Sequence, residues 1–125
     1  MILRGEGGQS TVELALCLPL VTVVLAAAVE VALLCGDQVR LWHAAREAAR
    51  AAAVDPDAAA VTAAVERSGL EGVAVAVTPE AAHRVAGRPV TVRLTYRPAS
   101  GVPLLRNVLA PLALEASTTM RIEVP

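Results

Sequence analysis

Apolar residues fill most of the N-terminal third of the chain. From Leu14 to Val29 the sequence has no charged residue, and the apolar character continues to Cys35 with Glu30 as its one interruption. This run of 22 positions is close to the ~20 residues that an α-helix needs to cross the hydrocarbon core of a bilayer. We predict a transmembrane helix over residues 9–36.

The helical period continues beyond this run, through residues 37–54. One side of the predicted helix is mostly apolar and comprises Val39, Trp42, Ala45, Ala49 and Ala52. Another side is polar and comprises Arg40, His43, Glu47 and Arg50. The pattern predicts a single helix from about Thr11 to Val54, ~65 Å long at 1.5 Å per residue. Residues 37–54 are its continuation outside the membrane.

Asp55 and Pro56 mark the start of a second helix. Aspartate is a favoured N-cap, and proline is favoured at the first helical position because its missing N–H has no partner there. Gly69 is a suitable C-terminal stop. We predict a helix over about residues 56–68.

The last third of the chain changes from a helical period to strict alternation. Three segments alternate apolar with polar residues, at about 73–77, 90–97 and 112–124. Short helical turns are expected between them, at about 79–87 and 104–109. Alternation predicts half-buried strands of an antiparallel sheet with one wet face. We therefore predict an α+β fold, in which a long N-terminal transmembrane helix extends into a small domain, residues 55–125, with a second helix and a three-stranded antiparallel sheet.

Composition and residue spacing argue against several classes of function. The net charge is −1 and no basic stripe with interleaved aromatic residues is present, which argues against nucleic-acid binding. Cys17 and Cys35 would stand ~27 Å apart on one straight helix and cannot bridge each other. His43 and His83 have no metal-ligand spacing with cysteines or carboxylates. We predict no catalytic residue, no metal, no cofactor and no small-molecule substrate, so the chain is not expected to be an enzyme.

A short glycine-rich segment precedes the apolar run. Residues 1–8 contain three glycines, and Gln9 follows them, with Glu13 at the start of the helix. A secretory signal normally avoids a carboxylate in this place, whereas the class III signal that prepilin peptidase cleaves carries one. We predict that residues 1–8 are a leader peptide and that cleavage falls between Gly8 and Gln9.

Glu13 is the strongest candidate for a functional side chain. After cleavage, the new amine of Gln9 and the Glu13 carboxylate would be four residues apart on one helix face. A carboxylate in an apolar helix bundle is costly unless it is paired. We predict that Glu13 serves assembly by pairing with this amine on its own or a neighbouring subunit; the alternative is that it lies in the headgroup region.

Glu30 and a charged group further along the helix are candidates for helix packing. An ionisable residue within a membrane helix indicates a functional contact, so we predict that Glu30 meets a partner helix; the alternative is that the span ends at Val29 and Glu30 is interfacial. Arg46, Glu47 and Arg50 form either a subunit-facing or a solvated charged stripe.

The N-terminal half resembles a known family. The segment Gly8–Leu16 with Leu18-Pro19, the later Ala44–Arg50, and Glu30 between them are similar to the start of TadE-like proteins. The resemblance implies a pilin-like minor pseudopilin of the tight-adherence (Flp, type IVc) pilus system or a related secretion machinery. It also implies processing by prepilin peptidase, and association with other pilins, the pilus machinery and the membrane in the cell envelope, with a role in adhesion.

Two arguments on membrane topology disagree. More arginines flank the C-terminal end of the apolar run than its N-terminal end, and the positive-inside rule would place the domain in the cytoplasm. The resemblance implies the opposite, and we predict a cytoplasmic N-terminus and an external C-terminal domain, because leader cleavage by a membrane peptidase with a cytoplasmic-side active site requires it.

Two other function classes stay open. The alternatives are an exported protein cleaved after Ala26–Ala28, with a mature N-terminus at Val29, and an unprocessed single-pass anchored binding module.

Overall fold

A computed structural model describes the backbone of residues 7–99 and 103–123 and the side chains of residues 8–99 and 105–123. The elements in chain order are α1 (Gly7–Val54), α2 (Ala58–Glu66), β1 (Ala74–Thr78), a 3-10 turn (Ala81–His83), β2 (Pro89–Tyr96), α3 (Pro103–Leu109) and β3 (Leu114–Arg121). This architecture confirms the predicted α+β fold, with each predicted strand displaced by two residues or fewer at its start. Most of the predicted leader, residues 1–6, and the predicted end of the third strand, Val124, lie outside the described residues.

Helix α1 has two halves with different surroundings. Its 48 residues extend ~72 Å at 1.5 Å per residue and continue through Pro19. Every side chain from residue 8 to residue 25 is exposed, whereas the half after Asp37 contributes a buried face to the domain. The helix therefore projects from a domain that it also helps to build.

The core lies between that buried face, α2 and one face of the sheet. The face of α1 consists of Leu41, Ala44, Ala45, Ala48, Ala49, Ala52 and Ala53. The sheet contributes Val90, Val92, Leu94 and Ala116, and α2 contributes Val61, Ala64 and Val65. Alanines on the helix let the sheet and α2 approach its backbone closely, so large side chains come mainly from the sheet and from Leu41.

The residues on the predicted apolar side of α1 differ in burial. Ala45, Ala49 and Ala52 are buried, whereas Val39 and Trp42 are 56% and 43% exposed. The sequence carries two adjacent apolar stripes, and the sheet packs on the alanine-rich one because small side chains permit closer packing. Val39 and Trp42 consequently remain on the outer side of the helix.

The sheet has the order β1-β2-β3 with both pairs antiparallel. Its wet face carries Thr91 and Thr119, which are register partners, and their hydroxyl oxygens lie 2.7 Å apart. Val77 and Val92 are likewise paired on the inner face. The period-two pattern thus places apolar residues toward the helices and hydroxyl groups toward solvent.

The turn between α1 and α2 differs from the sequence prediction. Asp57, not Asp55, is the N-cap of α2, and its carboxylate accepts from the Ala59 N–H at 2.9 Å. Asp55 accepts from the Asp57 N–H at 2.9 Å and so shapes the turn before the cap. Gly69 follows the end of α2 with φ +74°, a left-handed conformation that suits glycine, as predicted.

Arg84 ties the loop after β1 to the end of α1. Its guanidinium donates to the carbonyl oxygens of Ala52 at 3.3 Å and Asp55 at 3.4 Å, and its Nε donates to Pro79 at 3.3 Å. The last carbonyls of a helix lack intrahelical donors, and an arginine is a favourable partner for them.

Two hydrogen bonds fix the direction of β3 along α1. The Gln38 side-chain amide donates to the Glu115 carbonyl oxygen at 2.9 Å, and the Glu123 N–H donates to the Ala53 carbonyl oxygen at 3.0 Å. The start of β3 therefore lies beside the N-terminal end of the buried half of α1, and its end lies beside the helix C-terminus. Both ends of this edge strand are held by α1.

Candidate functional site: the N-terminal helix

The exposed half of α1 is the most unusual surface of the described structure. Its exposed large apolar side chains include Val12, Leu14, Leu16, Leu18, Leu20, Val21, Val23, Val24, Leu25 and Val29. In the described part of the chain, α1 is the one helix long and apolar enough to cross a membrane. An exposed apolar surface of this extent is rare on a water-soluble protein. This half of the helix therefore requires either lipid or other apolar helices around it.

Polar groups on this half are bonded within the helix. The Thr22 hydroxyl donates to the Leu18 carbonyl oxygen at 2.8 Å, which removes a free hydroxyl from an apolar surface. Near the start, the Gln9 side-chain amide donates to the Glu13 carboxylate at 3.3 Å. Gln9 and Glu13 are thus on one face, as their spacing predicts, and Glu13 is exposed.

Glu30 occupies a different environment from the rest of the apolar run. It is 4% exposed, although no second molecule is present to cover it. Glu30 has an interaction partner, and every buried polar side-chain atom of the described residues has a hydrogen-bond partner. The chain's own domain therefore reaches along α1 as far as Glu30.

Glu30 lies in register with the buried face of the helix. Leu34, Asp37, Leu41 and Ala44 follow it at spacings of three and four residues, and these four are half-buried or buried. This spacing is the sequence signal that could have predicted the burial of Glu30. It can be recognised only once Leu41 is known to be the centre of the buried stripe. Contact between Glu30 and a partner helix stays a prediction.

Arg46, Glu47 and Arg50 lie outside the buried face of α1 and are all exposed, and Glu47 borders a shallow pocket that Arg67 and Ser68 at the end of α2 also line. With Val39 and Trp42 they form a surface that we call the outer face of α1. It mixes two large apolar side chains with charges of both signs. Such a composition suits a protein interface better than a bilayer, where charges would be costly.

The comparison with known families covers this helix. The model of the TadE-like protein family matches residues 8–50. The N-terminal segment of this chain is similar to TadE-like proteins. The match begins at the predicted cleavage site and ends at Arg50, so it includes Glu13, Glu30 and the outer face. Neither curated proteins nor solved structures yield a match to the chain.

The TadE-like segment is joined to the sheet by residues that sequence reasoning missed. Gln38 binds the start of β3, and Arg84 binds the carbonyls at the end of α1. Neither residue belongs to a recognisable motif, because each acts through a carbonyl oxygen that any sequence would supply. Their role is to hold the sheet at a fixed height along the helix.

The distinctive chemistry of the described residues lies on the surface of α1. No group of three or more histidine, cysteine, aspartate or glutamate side chains in the described ranges is arranged to hold a metal ion. Cys17 and Cys35 are free and exposed on α1. The surfaces with distinctive composition are the apolar half of α1 and its outer face.

Tyr96 lies at the end of the sheet that is nearest the N-terminal end of the buried half of α1. Burial raises its pKa, and the Asp37 and Glu71 carboxylates raise it further, while Arg40 opposes them. The pKa of Tyr96 is higher in the folded than in the unfolded chain. The contribution of its neutral phenol to the free energy of unfolding is therefore fully present below about pH 10, the ordinary tyrosine value. This contribution is lost as the pH rises through the folded value.

We expect tyrosinate absorbance of the folded protein to appear at higher pH than in the urea-unfolded protein. The chain has one tyrosine, so the titration is unambiguous. Asp37→Asn should shift the folded curve toward lower pH, and Glu123→Gln, at the other end of the domain, serves as the control. Coincident folded and unfolded curves would contradict the described environment.

Proposed function

We propose that this chain is a minor pilin or pseudopilin that takes part in the assembly or function of a tight-adherence pilus or a related secretion machinery. The TadE-like match supports the pilus association. The observation that carries the proposal is the form of α1, an exposed apolar half continuous with a half built into a small α+β domain. A subunit of this form is held in the membrane before assembly and offers the same helix to neighbouring helices afterwards.

In this proposal prepilin peptidase removes residues 1–8. Gly8 and Gln9 stand at the start of the exposed helix, and a Cβ added at Gly8 would meet nothing within 4 Å. The site therefore has no packing role in the fold that would otherwise explain a glycine. Cleavage there requires the N-terminus to face the cytoplasm and places the domain outside the membrane.

The domain acts in this proposal as a protein-binding unit without a cofactor. The outer face of α1 offers Trp42 and Arg46, one helical turn apart, and the further charges of Glu47 and Arg50 to a second helix. The sheet offers its edges to an added strand. Because α1 holds both ends of β3, β1 (Ala74–Thr78) is the more accessible edge.

A soluble fragment of residues 37–125 tests the domain part of the proposal. It should show a mixed α and β circular-dichroism spectrum and bind no stoichiometric metal, since it retains the whole core from Leu41 onward. Addition of a pilus partner should slow amide exchange in β1. A purely helical spectrum or stoichiometric metal would refute the proposal.

The same fragment distinguishes the buried from the outer stripe of α1. Leu41 is fully buried, so Leu41→Ala should cost about 2–5 kcal/mol of unfolding free energy. Val39 is 56% exposed, so Val39→Ala should change stability by about 0.5 kcal/mol or less. Urea denaturation measures both, and equal effects would contradict the described packing.

The alternatives differ in the mature N-terminus. An exported protein would begin at Val29, which would remove the exposed half of α1 altogether. An unprocessed anchored module would keep Met1–Gly8. The experiment that separates all three is N-terminal sequencing of the membrane-associated protein, and the proposed function requires Gln9.

A further inference from the structure

The connection between β2 and β3 leaves the sheet at the end that faces the apolar half of α1. Tyr96, the last residue of β2, is paired with Leu114, the first residue of β3. The next residue, Glu115, accepts the hydrogen bond from Gln38, whereas the far end of β3 reaches Ala53. The described residues between the two strands, 97–99 and 103–113, therefore connect at the end of the sheet that faces the apolar half of α1.

If residues 8–29 of α1 cross the bilayer, no spacer separates this end of the domain from it. The helix below the buried Glu30, residues 8–29, is about 33 Å long at 1.5 Å per residue. The hydrocarbon core of a bilayer is ~30 Å thick. If this part of α1 crosses the membrane, the domain that covers Glu30 begins where the hydrocarbon ends.

The composition of residues 103–113, which we call the α3 segment, suits that position. Val108 is 70% exposed and Leu112 is 38% exposed. Among the large apolar side chains that are exposed in the described structure outside α1, Val108 is the most exposed. Arg106 is the one charged residue of the segment and is also exposed.

We propose that the α3 segment rests on the surface of the membrane that α1 crosses, with Val108 and Leu112 at the headgroup level and Arg106 on anionic lipid phosphates. Apolar side chains gain from burial at that boundary, and an arginine next to an anionic surface is attracted to it. The segment is too short to bind a membrane alone, so its contact depends on the anchor and fixes the tilt of the domain. The inference rests on the membrane anchoring in the proposed function.

The test uses the full chain in vesicles of phosphatidylglycerol and phosphatidylcholine, with brominated lipids as quenchers of tryptophan fluorescence. In a Trp42→Phe background, single tryptophans are introduced by Val108→Trp, Val85→Trp and Leu20→Trp. Val85 is the matched control, since it is 58% exposed and precedes Gly87, which bonds to Ile122 at the far end of the domain. Leu20 reports the span itself.

The inference predicts quenching and blue-shifted emission for Val108→Trp and Leu20→Trp, with neither for Val85→Trp. Emission of Val108→Trp that matches Val85→Trp while Leu20→Trp is quenched would overturn the inference and leave the anchoring intact. A blue shift of Val108→Trp without quenching would also overturn it, because the segment would then pack on protein. An unquenched Leu20→Trp would overturn the anchoring, and the inference with it.

A charge reversal tests the role of Arg106. In the Val108→Trp protein, Arg106→Glu should reduce quenching in vesicles that contain phosphatidylglycerol and have little effect in phosphatidylcholine alone. Arg93→Glu on the wet face of the sheet is the control and should change neither. Equal quenching with and without Arg106→Glu in the anionic vesicles would overturn the assignment of Arg106 to lipid phosphates.

Discussion

Replacing Gly8 with leucine leaves the membrane-bound protein about eight residues longer, because the peptidase no longer accepts the residue before the scissile bond. The expected loss of processing is nearly complete. A side chain at this position meets nothing within 4 Å, so the variant should fold and insert normally. Intact-mass spectrometry of the membrane fraction measures the result directly.

The matched control for this variant is Gly5→Leu, which changes a glycine of the leader away from the bond. It should mature like the unaltered protein. If Gly8→Leu is also processed to a form that begins at Gln9, the proposed cleavage site is wrong. If neither the Gly5→Leu variant nor the unaltered protein is processed, the chain is an unprocessed anchored module.

Replacing Glu13 with glutamine separates assembly from membrane insertion. Insertion should be at least as efficient, since removal of a charge lowers the cost of transfer into hydrocarbon. Assembly should fall, because the Gln9 amine would lose its counter-charge in an apolar bundle. Loss of one partner of a buried charge pair costs about 3–5 kcal/mol, which predicts at least a tenfold loss of the protein from isolated pilus complexes.

Two controls guard this interpretation. The glutamine side chain retains an oxygen that can accept the hydrogen bond from Gln9, so a defect reports the charge and not the contact. Glu47→Gln on the outer face removes a charge outside the span and should leave membrane insertion unchanged. Incorporation of Glu13→Gln into pilus complexes at the level of the unaltered protein would contradict the proposed role of Glu13.

The elements that sequence predicted well are those with a strong local period. The α1 helix carries an uninterrupted helical pattern, and the strands alternate strictly, as at Val90-Thr91-Val92, where the inner valines are fully buried. Turn chemistry was predicted less accurately. Asp55 and Asp57 are both good caps, and only the geometry of the turn after α1 decides that Asp57 is used.

Features set by distant parts of the chain were beyond sequence reasoning. The choice of Leu41 rather than Val39 as the centre of the buried stripe depends on how the sheet approaches the helix. The burial of Glu30 depends on how far the domain extends along α1, which the Gln38–Glu115 hydrogen bond helps to fix across 77 positions of sequence. Such contacts leave no local pattern.

One measurement tests the central claim most directly. N-terminal sequencing of the protein isolated from the membrane fraction should read Gln9-Ser10-Thr11 if the apolar half of α1 is retained and the leader is removed. A sequence that begins at Met1 or at Val29 would contradict the proposed processing and, with it, the assignment of the chain as a pilin or pseudopilin.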